Sequence, residues 1–143
     1  MVLMIVTTLS IHAAKYDDAV PVMKKMIASI ESFTVNINKA ADGKEIAAAM
    51  DQYAKEIKSY AADVVQLMKK YPELKDDKNH PESLKPFTKK FEELSKKLMQ
   101  LYGKLGKYMD DPDVKAANER MMKAMAAMNP NRAEKGVEKK EKN

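Results

Sequence analysis

Between residues 84 and 108 the large apolar side chains Leu84, Phe87, Phe91, Leu94, Leu98, Leu101, Leu105 and Tyr108 follow one another at intervals of three and four. That spacing matches the 3.6-residue period of an α-helix and places all eight on one seam. Lys89, Lys90, Glu92, Glu93, Lys96, Lys97 and Lys104 stand between them, so the opposite face is solvated. A helix patterned this way must bury its seam against other helices. The sequence therefore predicts an all-α fold with this segment at its centre and Leu98 in mid-seam.

The flanking segments supply the partners. Asp17 or Asp18 can open a first helix, Pro21 is tolerated in its first turn, and Val20, Met23, Ile27, Ile30, Thr34 and Ile37 repeat the three-four spacing. Asp42 and Glu45 beside Gly43 have capping-box spacing, so one helix ends and the next begins within a few residues, which makes the two antiparallel. The second helix carries Ile46, Met50, Tyr53, Ile57, Tyr60, Val64, Leu67 and Tyr71, and Pro72 stops it. The polar, proline-punctuated stretch 72–86 reads as the one long connection, with Ser83 or a residue just before it capping the third helix. Gly103 and Gly106 either weaken the end of that helix or admit another backbone at close range. Asp111 as cap and Pro112 in the first helical position restart the chain, and Val114, Ala117, Met121, Ala124 and Met128 form a fourth helix ending before Pro130. The predicted architecture is an antiparallel up-and-down four-helix bundle over residues 15–130. Residues 131–143 are charged, with almost nothing to bury, and read as a disordered tail.

Residues 1–11 are almost wholly apolar, and Ala13 and Ala14 precede the polar Lys15. This resembles the core and cleavage end of a secretory signal segment over residues 1–14, and implies a periplasmic or secreted bacterial protein. The apolar run is too short to span a bilayer, so no membrane span is expected in the mature chain. Lys and Arg exceed Asp and Glu by 26 to 21, but the signs are mixed along every helix instead of gathered into a basic stripe, which argues against nucleic acid as a partner. The absence of cysteine excludes disulfides, thiolate metal sites and cysteine nucleophiles. One histidine, His80, remains after the leader, in the polar connector, and no Ser stands in a context that would activate it. Nothing here points to an enzyme.

The pattern resembles the cytochrome b562 family of soluble periplasmic four-helix-bundle cytochromes. The resemblance lies in Lys39-Ala40-Ala41-Asp42 at the first turn, Pro72-Glu73-Leu74 closing the second helix, Pro81-Glu82 with Phe87 opening the third, and Val114-Lys115 starting the fourth. It implies the bundle fold and, in the axial-ligand position early in the first helix, Met23 or Met26 as a haem ligand. The family's second ligand, a histidine near the end of the fourth helix, has no counterpart in this sequence.

Ten of the 12 methionines lie beyond the leader, with Met121, Met122, Met125 and Met128 on the fourth helix. If the first and fourth helices are antiparallel neighbours, Met23 and Met26 come close to Met125 and Met128, and four thioethers could hold Cu(I). Methionine at helical spacing also fills cores and adaptable binding surfaces. Two functions follow as expectations. One is a non-enzymatic exported module that binds a protein partner or a small apolar ligand. The other is a haem or Cu(I) carrier built on these four methionines.

Overall fold

The computed structural model describes residues 15–75 and 81–129. The expected leader, His80 and the expected tail lie outside them. Four helices, α1 (Ala19–Lys39), α2 (Gly43–Lys70), α3 (Lys85–Gly106) and α4 (Pro112–Ala127), are joined by short links and by two 3-10 turns, Pro72–Lys75 and Glu82–Leu84. No strand occurs among the described residues. Consecutive helices run in opposite directions, giving the expected four-helix bundle. Tyr16, Ala19, Tyr71 and Leu84 cluster where α1 starts, α2 ends and α3 starts. At the other end the Asp111 carboxylate lies against Gly43, so α2 and α4 begin together and run parallel.

The boundaries follow local chemistry. The Glu45 N–H donates to Asp42 Oδ1 at 2.9 Å, the first half of a capping box, while Glu45 Oε2 reaches one residue further back and accepts from the Ala41 N–H at 2.7 Å. Asp111 Oδ1 accepts from the amides of Asp113 and Val114, with Pro112 in the first turn. Two expected caps differ. Asp18 precedes α1 but makes no capping bond, because its carboxylate instead accepts from Lys70 Nζ and the Tyr71 hydroxyl. Leu84, not Ser83, precedes α3, because a 3-10 turn carries the chain directly into the helix and buries Leu84 completely.

The centre of the core is α2, not α3. Eleven residues of α2 are buried against three of α3, Leu94, Leu101 and Leu105; Leu98, expected in mid-seam, is half-buried. The cause is that α2 uses two sides. One carries Tyr53, whose ring stacks on Phe33 of α1 at 4.5 Å. The other carries Ala47, Ala54 and Ala61, buried and repeating every seven residues. Asp51 shares that side and receives Arg120 of α4 in a two-pronged pair at 2.7 and 2.8 Å, which brings α4 there. Ala117 and Ala124 of α4 are buried in the same core cluster. Small residues on both helices let the backbones approach closely, and α2 with α4 is the most intimate helix pair of the bundle.

The remaining close pairs are α1 with α2 and α1 with α3. The helices are thus arrayed α3, α1, α2, α4, and the expected packing of α1 against α4 is not formed along their lengths. Nor do α3 and α4 pack closely, although only residues 107–111 separate them. Lys104 Nζ donates to the Asn38 carbonyl and the Tyr108 hydroxyl to the Ala41 carbonyl, so their shared corner is pinned to the α1–α2 corner instead.

Candidate functional site

Most of the exposed large hydrophobic side chains among the described residues stand on α3 and α4. Met99, at 69% exposure, and Tyr102, at 68%, stand on α3; Met122, at 52%, and Met125, at 40%, stand on α4. Val35 is the fifth large hydrophobic exposed to this degree among the described residues. Leu98, Met121 and Met128 are half-buried against the core beneath these residues. Single exposed apolar residues are ordinary, whereas several concentrated on two helices that each lack a second close partner are candidates for an interaction surface. Methionine suits that role, because its unbranched thioether adapts to differently shaped partners.

Of the four sulfurs proposed from the sequence, Met26 and Met128 are half-buried on the same core cluster. Met23 packs in the second cluster, with Tyr16, Tyr71, Leu84 and Phe87, at the start of α1. Met125 is exposed on α4. The four therefore occupy three environments, because α1 packs on α2 and α3 while α4 packs on α2 alone. Among the described residues no three His, Cys, Asp or Glu side chains gather into a group that could hold a metal ion. Sequence reasoning passed over Met99 and Tyr102. The available signal was that both are large apolar residues off the three-four seam, on a face otherwise made of charges.

Two shallow grooves lie on other faces. One, about 470 Å³, runs along the α1–α2 junction between Lys25, Ser29, Ser32, Glu56, Ser59 and Tyr60. Burial raises the Tyr60 phenol above its ordinary range; the neighbouring Ser29 hydroxyl opposes that rise, although Ser29 Oγ forms no hydrogen bond of ordinary geometry. The other, about 310 Å³, is lined by Asp18, Val22, Asp63, Gln66, Leu67 and Lys70. Its rim is a polar clasp. Asp18 accepts from Lys70 at 2.5 Å and from the Tyr71 hydroxyl at 2.8 Å, and Glu73 accepts from Lys15 at 2.8 Å and the Tyr16 hydroxyl at 2.7 Å. The Tyr16 and Tyr71 rings meet between the two pairs at 5.0 Å. Lys15 and then Tyr16 pull the Glu73 carboxyl down to about 2, and Lys70 and then Tyr71 lower that of Asp18. Because these side chains bond one another across the two helix ends, the clasp reads as a device that fastens the start of α1 to the end of α2.

Comparison of the chain with protein-family models, with curated proteins and with solved structures returns no match.

Proposed function

We propose that this protein is a non-enzymatic helical binding module, cytochrome b562-like in architecture, and that the exposed apolar residues of α3 and α4 receive its partner or apolar ligand. One observation carries the reading: four of the five large hydrophobics most exposed among the described residues stand on these two helices, which do not pack against each other along their lengths. Burying them on a partner gains the transfer energy that folding leaves unused. The apolar residues 1–11 with Ala13 and Ala14 ahead of Lys15 add export to the proposal, and N-terminal sequencing of the mature protein, expected to start near Lys15, checks it.

The test of the face is an NMR titration with an uncharged apolar dye. Shifts should concentrate on α3 and α4 and should be lost in a Met99→Gln, Met122→Gln variant whose denaturation midpoint is unchanged. Shifts confined to the α1–α2 groove, or none at all, would overturn the reading.

A further inference from the structure

Resting on that reading, we infer that the partner is an amphipathic helix with acidic flanks, laid along the outer face of α3. The first ground is charge. Residues 85–106 contain six lysines and two glutamates, so α3 carries the larger part of the net charge of +5. Lys85 pairs with Glu82 and Lys90 with Glu31, while Lys89, Lys96 and Lys97 form no ion pair among the described residues.

The second ground is shape. Lys89, Lys96, Met99, Gly103 and Gly106 follow at intervals of seven, three, four and three, which places them on one face, and Tyr102 borders it, three residues from Met99. Glu92 shares the face and makes no ion pair with Lys96, leaving the lysines in excess there. Among the described residues nothing lies within 4 Å of a Cβ built at Gly103 or at Gly106. Two glycines one turn apart thus leave bare backbone just beyond Met99 and Tyr102 on the helix. The intramolecular backbone that their spacing suggested does not arrive.

A helix from elsewhere fits this notch. Its backbone crosses over the glycines, its apolar face covers Met99 and Tyr102, and its carboxylates meet Lys89 and Lys96. The helix α3 has 22 residues, ~33 Å, which suits a helical segment of no more than about that length.

Two synthetic amphipathic helices of equal length and identical apolar face, one flanked by glutamates and its twin by lysines, test this by calorimetry. The acidic peptide should bind at least about tenfold more tightly than its twin, with a preference that shrinks in salt and vanishes in Lys89→Glu, Lys96→Glu. Gly103→Leu should weaken binding while raising the melting temperature, because leucine is the better helix former and meets no neighbour in the fold. Equal binding of the two peptides overturns the charge argument and leaves the proposed face standing. Failure of both peptides where the uncharged dye binds overturns the helical partner alone. Failure of dye and peptides together removes both proposals. Stronger capture by phosphatidylglycerol-containing vesicles than by the acidic peptide, with shifts on α3, replaces the helix by a membrane surface and so overturns the inference.

Discussion

The helices α2 and α3 are both strongly amphipathic, yet they end in opposite situations. In α2, Ile46, Met50 and Ile57 lie at 1% exposure or less, with further buried residues on both flanks. In α3 the burial is confined to Leu94, Leu101 and Leu105, and its outer face offers Met99 and Tyr102 to solvent. The difference teaches that a regular seam of large residues fixes where a helix turns its apolar side, but not how many neighbours will cover it. Coverage is decided by small residues, which set how closely a second helix can lie. In α2 the alanine stripe supplies them toward the interior, whereas in α3 the small residues, Gly103 and Gly106, face outward.

The largest expected effect is the contrast between Ile57→Ala and Leu98→Ala. The first empties a fully buried site and should cost about 2–5 kcal/mol, while the second opens a half-buried one and should cost about 1–2 kcal/mol. Urea denaturation of both variants decides this, and equal losses would break the comparison. Next in size is overpacking. Ala124→Leu drives a larger side chain into the α2–α4 contact and should cost about 1–3 kcal/mol, whereas Ser95→Leu on exposed α3 should leave the urea midpoint nearly unchanged. A tolerated Ala124→Leu would mean that small residues do not set the approach of α4.

These contrasts also show what could be read from the sequence. Helix limits were legible wherever a chemical stop or start stood in the chain: Asp42 with Glu45, Pro72, and Asp111 with Pro112. Asp18 and Ser83 misled because a cap is one use of a polar side chain, and a distant lysine and tyrosine or a 3-10 turn can compete for the position. The central role of α2 was illegible because Ala47, Ala54 and Ala61 carry little hydrophobic signal while permitting the closest contact in the fold. The order α3, α1, α2, α4 followed from that same contact. Of the candidate site, the four methionines were grouped on the expectation that α1 and α4 are neighbours, a packing that the alanine-lined α2–α4 contact replaces, while the Met99–Tyr102 face lay in plain view off the seam.

Smaller effects sharpen the account at its edges. Gly103→Ala should stabilise the protein by about 0.5–1 kcal/mol in thermal denaturation, since the helix gains propensity and nothing is displaced. A loss would show that the outer face of α3 is already covered. The smallest effect concerns acid. Glu73 and Asp18 have folded pKa values below their ordinary ones, so the clasp contributes fully above those ordinary values, and the Glu73 part is lost as pH falls from 4.5 toward about 2. Both groups are exposed, so the change in stability is small. NMR titration should show shifts at Tyr16 and Tyr71 over that range with the middle of α2 unmoved; Glu73→Gln with Asp18→Asn should flatten them.

The central claim, that α2 is the core and α3 a covering helix with a free outer face, is tested most directly by native-state amide hydrogen exchange. The slowest amides should lie in α2 between Ile46 and Val64 and exchange only by global unfolding, while those of α3 from Met99 to Gly106 open locally and exchange faster. Protection that peaks in α3, or is equal in the two helices, would contradict the account.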